Sequence, residues 1–72
     1  MKNKRYIALA KKDFILNEEV ESYFEKMHIK IINYYENLNI LQLESTYALN
    51  VNTLEYINYL ELEKNFSLNN NK

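Results

Sequence analysis

The apolar residues of the chain recur at two spacings, every second residue in some segments and every third or fourth in others. Alternation over residues 5–11 predicts a first strand. Both faces of this strand are largely apolar, so both can be covered in the folded protein. One face is predicted to carry Ile7 and Leu9, and the other Tyr6, Ala8 and Ala10.

Helical spacing follows over residues 17–27 and predicts the first helix. Asn17 suits the N-cap position because its side chain can accept a hydrogen bond from the first turn. The glutamates of that turn and the basic residues near the far end match the helix dipole. The buried face of the helix is predicted to consist of Val20, Phe24 and Met27, with Tyr23 beside it.

A hairpin is predicted next. Residues 29–35 are rich in β-branched and aromatic side chains, which favours a strand. The chain contains no Gly and no Pro, and Asn is expected to take their place at turns. Because Asn tolerates the left-handed conformation, residues 37–39 are predicted to form the turn. Residues 40–44 then return as a strand, with Leu41 and Leu43 on the face opposite Gln42 and Glu44.

A second, shorter helix is predicted after Ser45 or Thr46, either of which can cap it. Its apolar positions are Tyr47, Val51 and Leu54, although the intervening Asn and Thr residues are poor helix formers. Residues 57–63 alternate again and predict the last strand. There, one face is expected to carry Ile57 and Tyr59, and the other Asn58, Leu60 and Leu62.

This order of elements, βαββαβ, is the split βαβ or ferredoxin-like arrangement of the α+β class. We expect a four-stranded antiparallel sheet with both helices on one face, which leaves the other face open for a function. The predicted domain spans residues 1–66, and residues 67–72 are predicted to form a flexible tail.

The composition excludes several classes of protein. The 72 residues include no Cys, so no disulfide or thiolate zinc site is expected. The net charge of −1, with both signs interspersed, argues against a nucleic-acid surface. No apolar run approaches the roughly 20 residues of a membrane span. No signal-peptide core follows the basic start, so a complete chain is expected to be cytoplasmic, whereas an excised propeptide would allow no such inference.

The sequence offers no constellation of residues for catalysis. His28 is the sole histidine, and the serines Ser22, Ser45 and Ser67 are scattered, so no nucleophilic triad is expected. The glutamates of the first helix are interpreted as a solvated face rather than a metal site. We therefore expect that the protein is not an enzyme and that it binds no cofactor and no metal. Seven Tyr and three Phe invite an RNA-binding interpretation, but the basic and aromatic motif of such sheets is missing.

Three segments carry a resemblance to a known family. They are Lys-Arg-Tyr-Ile-Ala-Leu at 4–9, the hairpin at 29–44, and Ile-Asn-Tyr-Leu-Glu-Leu-Glu at 57–63. The last is similar to a Val-x-Tyr-Val-Glu-x-Asp strand. Over about residues 4–69, the chain resembles the propeptides of subtilisin-like serine proteases and their free-standing inhibitor relatives. It departs from them where Met27-His28 stands in place of a frequent Gly, and Glu55-Tyr56 in place of a frequent Pro.

The resemblance implies a protease inhibitor, or an inhibitor that also acts as an intramolecular chaperone. In the family, the open sheet face docks on two protease helices, and acidic residues of the last strand accept hydrogen bonds from helix N-termini. The matching docking residues are Tyr59, Glu61 and Glu63. The following segment enters the substrate cleft and pairs with enzyme strands. The residues that match it are Phe66, Ser67, Leu68 and Asn69.

Within that segment, Phe66 would fill the apolar pocket four residues before the scissile bond. Asn69 would lie at the bond, and a one-residue shift would put Leu68 there. An alternative is that Phe66 and Leu68 close the domain's own core. The rival functions are a ferredoxin-like self-association module, in which a homodimer buries Tyr6, Ala8 and Ala10, and RNA binding.

Overall fold

The computed structural model describes residues 3–63, which form a four-stranded antiparallel sheet and one α-helix, an α+β arrangement. The elements are β1 (Lys4–Ala10), α1 (Glu18–Lys26), β2 (Lys30–Tyr35), β3 (Ile40–Ser45) and β4 (Ile57–Leu62). The strand order is β2-β3-β1-β4, so β2 and β4 form the edges. The four strands and the first helix are confirmed to within one residue. Over the same residues, no helix has the length and apolar character to cross a membrane.

Local signals at both ends define α1. The Asn17 side chain accepts a hydrogen bond from the Val20 N–H at 3.0 Å, which confirms the predicted N-cap. Past the last turn, His28 adopts a φ of 61°. The N–H groups of His28 and Ile29 donate to the carbonyls of Glu25 and Phe24, at 3.0 and 2.9 Å. This is a Schellman motif, and its left-handed position is one that glycine usually occupies.

Replacing His28 by glycine should raise the free energy of unfolding by about 0.5–1 kcal/mol. The left-handed conformation costs a residue with a Cβ about 1–2 kcal/mol, and the greater freedom of glycine in the unfolded chain offsets part of the gain. Urea unfolding followed by circular dichroism measures the change. His28→Ala is the matched control, because it removes the imidazole and keeps the Cβ. A glycine variant no more stable than the alanine variant would contradict the prediction.

The turn between β2 and β3 also depends on a left-handed residue. Asn39 has a φ of 57° and follows a single 3-10 turn at Glu36–Leu38. Its side-chain amide donates to the carbonyls of Ala10 and Lys11, at 3.0 and 2.9 Å. Asn39 therefore makes the turn, as predicted, and joins the hairpin to the end of β1.

The core lies between one face of the sheet and α1. Strand β1 contributes Tyr6, Ala8 and Ala10 to it, which are 5%, 0% and 2% exposed. Tyr6 can be buried because its hydroxyl accepts a hydrogen bond from the Leu49 N–H at 3.1 Å. The prediction that a homodimer would bury Tyr6, Ala8 and Ala10 is therefore wrong. The two faces of β1 are similarly apolar, so alternation alone could not tell which of them faces the helix.

Two β-bulges rearrange the faces of the edge strands. In β2, Ile31 pairs with Leu43 and Asn33 pairs with Gln42, so Ile32 is an extra residue. In β4, Tyr59 pairs with Leu9 and Ile57 pairs with Ala10, so Asn58 is an extra residue. Each bulge allows residues three apart to face the core. The core-facing pairs are Ile31 with Tyr34, and Ile57 with Leu60. The strict alternation predicted for β4, with Ile57 and Tyr59 on one face, is therefore wrong.

The predicted second helix is absent from the described residues. Between β3 and β4 the structure has one 3-10 turn, Val51–Thr53. The Ser45 hydroxyl accepts a hydrogen bond from the Tyr47 N–H at 3.2 Å, and the Asn50 side chain accepts one from the Asn52 N–H at 2.9 Å. Such local bonds compete with helical ones. Leu54 is nevertheless buried, so this loop closes the core without a helix.

Candidate protein interface

The sheet face opposite α1, here called the open face, presents side chains from all four strands. Three of its apolar side chains remain substantially exposed: Leu9 by 40%, Tyr35 by 46% and Tyr59 by 53%. The strand register aligns them with half-buried Ile40 in one continuous line. We call this line the apolar row; in order across the sheet it consists of Tyr35, Ile40, Leu9 and Tyr59.

Two further rows complete the open face. The middle row is mixed and contains, in the same strand order, Asn33, Gln42, Ile7 and Glu61. The third row is charged. In it Lys30 and Arg5 flank Glu44, and the Glu63 N–H donates to the Arg5 carbonyl at 2.8 Å. The open face thus grades from apolar at one end of the strands to charged at the other.

A chain of side-chain hydrogen bonds crosses the open face. The Asn33 amide donates to the Gln42 side-chain oxygen at 2.7 Å. The Gln42 amide in turn donates to a Glu63 carboxylate oxygen at 2.9 Å. This chain joins β2, β3 and the end of β4 over the surface of β1. It holds the half-buried Glu63 carboxylate in a fixed position within the domain.

Glu61 has different surroundings from Glu63. It is exposed, and its carboxylate accepts a long hydrogen bond, 3.3 Å, from the hydroxyl of its neighbour Tyr59. An exposed carboxylate with unused acceptor capacity can accept hydrogen bonds from a partner's N–H groups. Of the two glutamates, Glu61 is therefore the one that is free to meet a partner.

The residues predicted to dock on a protease have the following locations. Tyr59 and Glu61 lie side by side on the open face of β4, and Glu63 follows the strand. The cleft-binding residues Phe66, Ser67, Leu68 and Asn69 lie outside the described residues. The predicted set omits the open-face residues of the other strands. Leu9 and Ile40 are the main omissions, and only the register across β1 reveals them.

The open face lies away from Tyr56, whose pKa is raised. Desolvation, followed by the carboxylates of Glu19 and Glu55, raises the pKa of Tyr56. Its ring packs edge-to-face against Tyr23, with centroids 5.2 Å apart, on the helix side of the sheet. Within residues 3–63, no three His, Cys, Asp or Glu residues are grouped so as to hold a metal ion.

Comparisons of the chain with family models, with curated proteins and with solved structures found no significant match.

Proposed function

We propose that the protein is an inhibitor, or an inhibitor and folding-assistant propeptide, of a subtilisin-like serine protease. The observation that carries the proposal is the open face, where the apolar row ends at Tyr59 beside the exposed carboxylate of Glu61. In the propeptides that the chain resembles, this face packs on two protease helices. The carboxylates then accept hydrogen bonds from the unpaired N–H groups of a helix N-terminus.

The strand order supports the ferredoxin-like part of this proposal. Neighbouring strands are antiparallel throughout, and β3 lies between β1 and β2, as a split βαβ unit requires. By this proposal, the loop with the 3-10 turn at Val51–Thr53 replaces the second helix of the ferredoxin-like arrangement.

The dimensions of the apolar row also support docking on helices. Four side chains on strands about 4.8 Å apart form a row about 15 Å long. Two packed helices have axes about 8–10 Å apart, so one such row can contact both of them. Glu61 stands next to the Tyr59 end of the row, where it can reach the end of a helix packed on that end.

The proposal is tested by titrating a subtilisin with the protein and measuring steady-state activity, with the product mixture examined for cleavage of the chain. Tight inhibition with an intact or slowly clipped chain supports the proposal. A trypsin-like protease of unrelated fold serves as the control and should not be inhibited. Failure to inhibit any member of a panel of subtilisin-like proteases at micromolar concentration would contradict it.

Glu61→Gln should weaken inhibition about tenfold or more, because a hydrogen bond to a charged group contributes about 1.5–3 kcal/mol. Glu63→Gln is the matched control and should weaken inhibition less than about threefold, since that carboxylate is half-buried and one of its oxygens already accepts a hydrogen bond from Gln42. The inhibition constants of both variants provide the comparison. If both variants lost the same inhibition, the two carboxylates would contribute equally to docking, and the prediction would be contradicted.

Self-association is the second candidate function, and the exposure of the apolar row favours it. In this candidate the homodimer interface consists of Leu9, Ile40 and Tyr59 instead of the buried face of β1. Analytical ultracentrifugation distinguishes the candidates, because a tight dimer that Leu9→Glu dissociates would support self-association. On the same face, the three carboxylates of Glu44, Glu61 and Glu63 outnumber the cations of Lys30 and Arg5, which disfavours binding to RNA.

A further inference from the structure

A groove of about 910 Å³ runs along the outer edge of β2, beside α1. We call it the edge groove. Strand β2 pairs with β3 on its inner side and, over residues 3–63, has no strand partner on its outer side. The edge groove lies at the edge of the sheet opposite β4, so it is separate from the proposed contact of Glu61.

The outer edge of β2 offers backbone hydrogen bonds to an added strand. In an antiparallel ladder, alternate residues direct their N–H and C=O groups away from the existing partner. The six residues of β2 extend about 20 Å, which matches an extended segment of about six residues. The bulge at Ile32 interrupts this edge, which disfavours indiscriminate strand pairing. Binding should therefore depend on side chains as well as on the backbone.

The edge groove contains apolar side chains that a bound strand would cover. Leu16, Ile31, Ile32 and Tyr34 line it, and each is only partly buried. A strand that places every second side chain toward these residues would bury apolar area on both partners. An extended segment with alternating apolar residues fits this surface.

The charge of the edge groove favours basic side chains on the bound segment. Glu21 and Glu25 are four residues apart on α1, so they lie on one face of the helix, and both are exposed in the wall of the groove. Glu44 lies at the end near the start of β2, and Lys30 and His28 are the basic lining residues. The three carboxylates outnumber these two basic residues even when the His28 imidazole is charged, so the groove attracts basic side chains.

We infer that the edge groove binds an extended peptide segment rich in Lys or Arg, which adds to β2 as a fifth strand. Every second side chain of the segment faces α1; among these, apolar side chains contact Leu16 and Ile31, and basic side chains pair with Glu21 and Glu25. This is β-augmentation, in which backbone bonds give affinity and pockets for alternate side chains give specificity. The inference does not depend on the proposed inhibition of a protease.

The test uses ¹⁵N-labelled protein and two hexapeptides blocked at both ends, Val-Thr-Lys-Thr-Lys-Thr and Val-Thr-Glu-Thr-Glu-Thr, called the Lys-Val and Glu-Val peptides. Each one carries its Val and its charged residues on the same face of an extended strand. The Lys-Val peptide should shift the amide resonances of β2 and of the Glu21 to Glu25 turn, and the Glu-Val peptide should not. Glu21→Gln with Glu25→Gln should raise the Kd about fivefold or more. Glu18→Gln with Glu19→Gln, outside the groove, is the matched control and should change it less than about twofold.

A second measurement tests the inference without any variant. Raising NaCl from about 0.05 M to about 0.5 M should weaken binding of the Lys-Val peptide about fivefold, because exposed charge pairs are screened. Three results would overturn the inference. They are no shifts at about 1 mM peptide, shifts centred on the open face, and equal effects of the two glutamate pairs.

Discussion

Replacing Phe24 by alanine should unfold the protein at room temperature. Phe24 is 1% exposed and is one of the largest fully buried side chains among the described residues. Its ring packs edge-to-face on Tyr23, with centroids 5.2 Å apart. Truncation of a buried Phe costs about 3–5 kcal/mol. The core of a domain this small supplies about the same, 3–5 kcal/mol, so little stability would remain.

Far-UV circular dichroism and the dispersion of amide resonances measure this outcome directly. Ile15→Ala is the matched control, because it also removes a large apolar side chain, but one that is 69% exposed. It should change the free energy of unfolding by less than about 0.5 kcal/mol. A Phe24→Ala variant that keeps native dispersion and loses less than about 1 kcal/mol would show that α1 does not pack on the sheet as described.

The elements that could be predicted from the sequence are those specified by neighbouring residues. Helix α1 is an example, since its cap Asn17 and its buried Val20 and Phe24 all lie within two turns. The hairpin turn is another, because Asn39 is one of the few residue types that adopt a positive φ at low cost. The missing Gly and Pro did not obscure these signals. His28 takes a glycine position, which the resemblance indicated by the frequent Gly at Met27-His28, whereas the neighbouring residues did not indicate it.

What could not be predicted depends on contacts between distant segments. The bulges beside Ile32 and Asn58 are set by packing across the sheet, and each one reverses the facing of the residues beyond it. The segment with Tyr47, Val51 and Leu54 has helical spacing, yet the tyrosine hydroxyl donates to the Met27 carbonyl and ties the loop to α1. Periodicity alone cannot reveal such a constraint.

In the candidate interface too, some features follow from one segment of the sequence and others from contacts between distant segments. Tyr59 and Glu61 are implied by the resemblance of the last strand to the propeptide family, and their docking role stays a prediction. The apolar row can be identified only from the register of three strand pairs, because that register puts Leu9 beside both Ile40 and Tyr59. The bond from Gln42 to Glu63 spans 21 positions in the chain, so no local pattern indicates that the two glutamates differ.

Removing residues 66–72 should abolish protease inhibition and leave the fold intact. The buried core that the structure describes is built from residues between Tyr6 and Ile57, and the Glu63 N–H already pairs with Arg5. The cleft-binding role of the removed segment is implied by the resemblance, in which it forms backbone bonds with enzyme strands. Burial of Phe66 alone would contribute about 1.5–3 kcal/mol, or roughly a 10- to 150-fold change in the inhibition constant.

Two measurements on the truncated protein distinguish a role of the removed residues in the protease cleft from a role in the core of the domain. The inhibition constant should rise beyond the measurable range, while the midpoint of urea unfolding stays near that of the full chain. Phe66→Ala should reproduce much of the loss of inhibition, and Ser67→Ala is the matched control. Loss of more than about 1.5 kcal/mol of stability on truncation would instead assign Phe66 and Leu68 to the core.

Direct binding of the truncated protein to the protease then tests the open face by itself. Since the apolar row and Glu61 are retained, the truncated protein should still bind the enzyme, more weakly, and leave it active. Glu61→Gln in the truncated protein should weaken that residual binding further. If the truncated protein is folded but does not bind, the open face contributes no docking energy. Inhibition by the full chain would then depend on residues 66–72 alone.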